Sequence, residues 1–171
     1  VTPDSTEASL RAVFGEKAVT KLLPGDEMNE EEYVTILYGE DPSRTLTVVW
    51  DDKSASHLRY IGVCRSRQCV WHTQSGIRMG VTLTELERRN GRPFSVSSWA
   101  TDYYPGAVES WEGGLLEKEL EGVNTSLCLS TEQAGQIDTG PGELSSNPVL
   151  KRFNPKLCEI EVSFDTKSVL H

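Results

Sequence analysis

Four cysteines constrain this chain more than any other feature. They are Cys64, Cys69, Cys128 and Cys158, and four cysteines allow three pairings. Cys64 and Cys69 flank Arg65-Ser66-Arg67-Gln68, between Arg59–Val63 and Val70–Thr73, and both flanks read as strand. Cysteines facing each other across an antiparallel pair are close enough to bridge, so Cys64–Cys69 is expected to close a hairpin. Cys128 and Cys158 sit in two further strand-like segments, Thr125–Ser130 and Cys158–Phe164, and are expected to bridge adjacent strands. Closing a loop of that size stabilises a fold by roughly 3–4 kcal/mol in the chain-entropy model. The competing readings are a zinc site and buried free thiols. Zinc would call for two short Cys-x-x-Cys pairs, whereas one spacing here is wide and the other two cysteines are far apart. Persistent disulfides imply an oxidising compartment, so the expected location is periplasmic or extracellular.

The chain has 171 residues, enough for one domain with a core of its own, and 1–171 is read as a single domain. No stretch approaches the ~18 apolar residues of a membrane span. The opening Val1-Thr2-Pro3-Asp4-Ser5 has no signal-peptide character, so an exported chain is expected to have lost its leader. The net charge of −9 argues against general nucleic-acid binding. That charge is uneven: residues 59–92 hold seven arginines against Glu85 and Glu87. Either these arginines pair with the protein's own acids, or they form an anion-facing strip.

Two short helices are expected. One spans about 83–90, opened by a capping box of Thr82 and Glu85 and stopped by Asn90-Gly91 and Pro93. Val81 lies at the spacing to staple onto Leu86. The other lies near the start, with Asp4 and Glu7 three apart as its capping box, Leu10, Val13 and Phe14 as its apolar stripe, and Gly15 as its stop. A shift of 76 residues lays Thr6 on Thr82, Leu10 on Leu86 and Gly15 on Gly91. This reads as a tandem helix–strand–strand duplication, with pseudo-repeats at 4–75 and 80–130; coincidence between two capped helices is the alternative.

The remainder reads as strand. Glu32–Tyr38 and Thr45–Trp50 form a hairpin around Gly39-Glu-Asp-Pro-Ser. Phe94–Ala100 and Ala107–Trp111 flank another turn, followed by Leu115–Leu120 and Thr125–Ser130. Residues 131–156 are rich in Gly and Pro and read as loop, and Cys158–Phe164 alternates as a half-buried strand. The expected class is therefore α+β, a mainly antiparallel sheet with two short helices.

One stretch carries a resemblance. Residues Gly80–Phe94, with Trp99, Asp102-Tyr103, Gly106, Val108, Trp111 and Gly114-Leu115, resemble a group of uncharacterised bacterial envelope proteins that are often predicted lipoproteins. The likeness covers residues 76–116 well and the N-terminal half loosely. The helix-then-sheet repeat is also similar in architecture to β-lactamase inhibitor proteins and small outer-membrane assembly lipoproteins. These resemblances imply an envelope location and a fold, not a target.

Motifs of chemistry are sparse. The histidines are His57, His72 and His171; no Gly-x-Ser-x-Gly elbow, His-x-x-x-His pair, calcium loop or phosphate loop is present. Paired cysteines exclude thiolate catalysis. No cofactor or metal is expected. The aromatics Trp99, Tyr103, Tyr104 and Trp111 cluster around Asp102; they either pack the sheet or form a binding ridge, while Trp50 and Trp71 are expected in the core. The leading expectation is a non-enzymatic binding module contacting another envelope protein or a glycan. Its candidate residues are Trp99, Asp102, Tyr103, Tyr104, Trp111, Arg65 and Arg67. The alternative is a small extracellular carboxylate-dependent hydrolase acting on cell-wall or glycan material.

Overall fold

The computed structural model describes residues 1–23, 31–99, 105–130, 133 and 143–164. In chain order its elements begin with α1 (Glu7–Phe14), β1 (Ala18–Leu23), β2 (Glu32–Leu37), β3 (Leu46–Trp50) and β4 (Leu58–Val63). They continue with α2 (Leu83–Asn90), β5 (Ser95–Val96), β6 (Val108–Ser110), α3 (Leu115–Glu119) and β7 (Val123–Cys128). The last are β8 (Glu143–Leu144), α4 (Pro148–Phe153) and β9 (Lys156–Ser163). The class is α+β and sheet-dominated, with antiparallel pairing of β1–β2, β2–β3, β3–β4, β4–β9, β5–β6 and β5–β8. The residues fall into two compact units, 1–71 with 161–171, and 72–160.

In the first unit β1, β2, β3 and β4 follow one another as antiparallel neighbours, and β4 then pairs with Glu161–Ser163 of β9. β2 and β3 are rich in β-branched residues, which suit a pleated half-buried surface. One face of the sheet joins Leu10 of α1 in a core with Ala18, Leu37, Leu46, Val48, Trp50 and Leu58. Thr35 is fully buried in it, yet its hydroxyl accepts the Trp50 indole N–H at 3.0 Å and meets the Thr20 hydroxyl at 2.9 Å. A buried hydroxyl so paired avoids the desolvation cost of an orphan.

Helix α1 is capped two residues later than the sequence suggests. Thr6, not Asp4, is the N-cap, and it exchanges bonds with Ser9 rather than with an acid. Glu7 is inside the helix and pairs with Arg11 at 2.7 Å. Strand β1, which follows at once, has no counterpart in the expected strands.

In the second unit Thr82 caps α2 by accepting the Glu85 N–H, and Gly91 ends it in the left-handed region at φ 77°. Only half of the capping box forms, because the Glu85 carboxylate is taken by Arg88 and Arg89. Leu83 and Leu86 bury one face of the helix, and Phe94, Val96, Leu127, Leu150 and Leu157 of the same unit are buried as well. Phe94 and Trp111 rings meet at 5.0 Å. The small sheet runs β6–β5–β8, and the buried Ser145 after β8 accepts the Phe94 N–H while donating to Glu87. β7 lies beside β9, and Cys128–Cys158 joins them.

Several expected strands are corrected. Leu115–Leu120 is the site of helix α3, not a strand. The loop expected over 131–156 contains β8 and α4; Asn147 caps α4 and Pro148 occupies its first turn. Phe94–Ala100 and Ala107–Trp111 shrink to β5 and β6, paired through a register shift. Val70–Thr73 is not a strand: it contributes one isolated bridge, His72 to Arg78. The helices at a 76-residue offset do share their bounds, their threonine caps and their glycine stops. No helix among the described residues is long and apolar enough to cross a membrane.

Candidate binding site

The Cys64–Cys69 bridge forms, closing a ring around Arg65-Ser66-Arg67-Gln68. Cys69 does not reach Cys64 from a facing strand. Its N–H donates to the Ser66 carbonyl at 2.9 Å, and the Gln68 N–H donates to the Ser66 hydroxyl, so the loop is a tight knuckle. The donors that would have built a second strand go elsewhere. Val70 N–H donates to the Ser43 carbonyl at 2.9 Å, and the Trp71 indole N–H donates to the Arg44 carbonyl at 2.9 Å.

The β2–β3 connection is therefore the seat of the knuckle. That connection is itself fixed by Asp41, whose carboxylate accepts from both the hydroxyl and the N–H of Ser43. These two bonds hold the Asp41 carboxyl below its ordinary value. Arg44, Arg65 and Arg67 are all exposed, Val70 is half exposed, and Trp71 is half-buried in the seat. Arg44 keeps a long ion pair to Asp41 at 3.7 Å. Arg65 and Arg67 are legible as candidates in the sequence; Arg44 is not, because its contact with Trp71 spans 27 residues and leaves no local pattern.

Four other arginines of the stretch have local partners. Arg59 faces Glu32 at 3.6 Å, Arg88 and Arg89 both reach Glu85 at 2.7 Å, and Arg92 donates to the Glu112 carbonyl at 2.7 Å. These four serve the fold.

Of the aromatic candidates, Trp111 is buried, 7% exposed, with its ring against Phe94. Trp99 is half-buried; its indole N–H donates to the Leu127 carbonyl at 3.2 Å and its ring lies over Gly106. Both tryptophans hold the second unit together. Asp102, Tyr103 and Tyr104 lie outside the described residues, as does His171. Trp50 is core at 2% exposed, and the half-buried Trp71 packs against that core, as expected, while its indole N–H serves the seat of the knuckle.

One loop gathers triad-type residues. Ser54 donates to Asp52, Ser54 and Ser56 hydroxyls meet at 2.6 Å, and the Ser56 hydroxyl lies 3.1 Å from His57 Nδ1. The Asp52 carboxylate faces the same Nδ1 at 3.7 Å. A working relay puts the serine on one ring nitrogen and the acid on the other. Here both converge on Nδ1 of a ring that is largely in water, so the loop is a turn network and not a nucleophile.

The second unit has a groove of about 720 Å³, lined in part by Glu109, Trp111, Glu117, Lys118, Glu121 and Asn124. Gly113 is part of its wall and follows Glu112 in a turn where both are left-handed, at φ 71° and 55°. The Glu117 carboxylate reaches back to accept the Gly113 N–H at 2.5 Å, which fixes the turn and occupies that acid. No cluster of three metal-ligating side chains occurs among the described residues. No family model, no curated protein and no solved structure matches this chain.

Proposed function

We propose that this protein is a non-enzymatic binding module of an oxidising compartment, periplasmic or extracellular, and that the arginine knuckle docks it onto an acidic surface of another protein. The observation that carries this reading is the pinned ring Cys64–Cys69. It holds Arg65 and Arg67 exposed beside Arg44, on a seat fixed through Ser43 and Trp71. A guanidinium offers a planar fork suited to carboxylates, and a preorganised loop loses little entropy when it binds. The chain as a whole is acidic, at −9, so an acidic partner is repelled by much of the surface and attracted to this loop. Such a field sets orientation and on-rate more than affinity. The exposed Val70 beside the arginines adds apolar contact, which favours a protein partner over a glycan. The two disulfides support the location.

The test is capture of envelope proteins on immobilised protein, with identification of what 0.5 M salt releases, a concentration of the order that screens exposed charges. The double variant Arg65→Glu, Arg67→Glu, folded by circular dichroism, is expected to lose the salt-released partner. If it keeps the same partner at the same affinity, the knuckle is not the docking surface. Release by an acidic glycan alone would redirect the reading to glycan binding. The hydrolase alternative rests on Glu109 and Glu121 of the second-unit groove, and is sustained only by turnover of cell-wall glycan that Glu109→Gln abolishes.

A further inference from the structure

Strand β1 ends the sheet of the first unit, and its outer edge is open among the described residues. Which backbone groups face outward follows from register. The Tyr38 N–H donates to the Lys17 carbonyl, and Ala18 lies opposite Leu37. Hydrogen-bonded and non-bonded pairs alternate along an antiparallel ladder, so Val19, Lys21 and Leu23 bond β2 while Ala18, Thr20 and Leu22 do not. The Thr20 and Thr35 hydroxyls, 2.9 Å apart, agree with this, because non-bonded pairs approach more closely. The Ala18 N–H is used by the Gly15 carbonyl. The N–H and C=O of both Thr20 and Leu22 therefore point away from the sheet.

This edge is regular and apolar at the side-chain level. The β1–β2 register has no shift over six residue pairs, and Val19 and Leu22 are 55% and 41% exposed. Proteins blunt such edges with bulges, prolines or charges, and here the device is one exposed lysine, Lys21. In a self-pairing that sets Thr20 against Leu22, the two copies would oppose Lys21 to Lys21, and like charges directly opposite are destabilising. A carboxylate in that place is instead attracted.

We propose that β1 is a strand-addition site for an extended acidic peptide segment, bonded antiparallel to the backbone of Thr20 and Leu22 with a carboxylate opposite Lys21. β-branched residues opposite Val19 and Leu22 would cover their exposed surface. Main-chain bonds give affinity in this mode and alternate side chains give specificity. The inference uses none of the knuckle residues and stands apart from that reading.

The probe is the capped hexapeptide Thr-Val-Glu-Thr-Val-Thr, with a counterpart carrying Lys for Glu. In the full chain at millimolar peptide, amide exchange and NMR shifts are expected to change first at Thr20 and Leu22. Lys21→Glu should weaken the Glu peptide roughly three- to tenfold and reverse the preference between the two peptides. Leu22→Pro removes an outward N–H that the sheet does not use and should abolish binding; if it does not fold, Lys21→Glu carries the test. The variant Arg65→Glu, Arg67→Glu should bind the peptide unchanged. No change at Thr20 and Leu22, or equal response to both peptides, overturns the proposal. Protection of these amides that grows with protein concentration and needs no peptide overturns it in favour of a second copy.

Discussion

Asn90 reaches Trp111 across 21 residues: its Nδ2 donates to the Trp111 carbonyl at 2.9 Å. The same amide donates to the Arg92 carbonyl at 3.0 Å, and its Oδ1 accepts the Leu116 N–H at 3.2 Å. Asn90 is 1% exposed, so one buried amide ties the end of α2 to the turn that leads into α3. Replacing it by leucine would take these partners from the Arg92 carbonyl and the Leu116 N–H, and leave the Trp111 carbonyl with the Gly114 N–H alone. Asn90→Leu is expected to cost about 2–4 kcal/mol, read from urea unfolding. Asn90→Asp keeps the acceptor but sets a carboxyl oxygen against the Arg92 and Trp111 carbonyls in a buried site, so it should cost at least as much. Gly114→Ala should also destabilise, because a Cβ there would overlap the Asn90 amide. A variant Asn90→Leu with unchanged unfolding would show that solvent or other groups replace these bonds.

Gly106 sits at φ 73°, and a Cβ on it would strike both the Leu127 carbonyl and the Trp99 ring. The backbone neighbour cannot move without disturbing β7, since Leu127 N–H donates to the Gly106 carbonyl at 2.8 Å. Gly106→Ala is therefore expected to lose about 2–4 kcal/mol, combining left-handed strain with overlap. Trp99→Phe keeps the ring packing and drops one hydrogen bond, so about 1 kcal/mol is expected. Thermal unfolding of both variants checks the order; a larger loss from Trp99→Phe than from Gly106→Ala would contradict it.

What was legible in the sequence was local. Thr82 and Gly91 are a cap and a stop at fixed offsets from one apolar face, and they place α2 within a residue. Both disulfides followed from cysteine positions in strand-like surroundings, although Cys69 turned out to lie in a turn. Leu115–Leu120 was misread because its leucines look like a β run; Leu116 and Leu120 are in fact the buried i, i+4 pair, while Leu115 is 77% exposed. The helical period was there, and so was the Asn147-Pro148 start of α4, concealed by the surrounding Gly and Pro. What could not be read was non-local. Nothing near Trp71 announces that its indole N–H ends on Arg44, and nothing near Trp111 announces Phe94 and Asn90. The candidate knuckle was half visible as Arg65 and Arg67, and its seat was not.

The Glu85 carboxylate is held down to about 2 by the Arg88 guanidinium and then by Arg89. A depressed acid contributes stability that is present above its unfolded value of 4.5 and is lost as pH falls through about 2. Its side chain is open to water, so the effect is best read at the residue itself. Carbon-detected NMR titration should give a Glu85 midpoint near 2, returning toward 4.5 in Arg88→Ala with Arg89→Ala. An ordinary midpoint in the parent protein would remove the ion pairs from solution.

Tyr60 moves the opposite way. Burial first, then the charge of Glu32, push its hydroxyl well above 10.0, and that hydroxyl donates to Glu32 at 3.2 Å. A raised acid binds its proton more tightly when folded, so the stability it contributes is complete below 10.0 and is lost as pH climbs above it. Ultraviolet titration should show one tyrosine ionising only with alkaline unfolding, and Glu32→Gln should bring that ionisation to lower pH. Ionisation of all tyrosines together, before unfolding, would contradict the buried pairing.

The two bridges should differ in what they protect. Cys128–Cys158 closes a separation of 30 residues, and in the chain-entropy model its removal costs roughly 3–4 kcal/mol. Cys64–Cys69 closes a separation of 5, for which the same model gives only about 2 kcal/mol. Paired Cys→Ser variants should therefore show a larger fall in unfolding midpoint for the long loop than for the short one. Docking should rank them in reverse. The long-loop variant leaves the knuckle intact, while Cys64→Ser with Cys69→Ser frees Arg65 and Arg67 from a fixed ring and restores the entropy that binding must then remove. Partner affinity, measured below both unfolding midpoints, is expected to fall for the short-loop variant alone. Equal affinity in both variants would mean that the ring serves stability and that the arginines do not depend on being held in place.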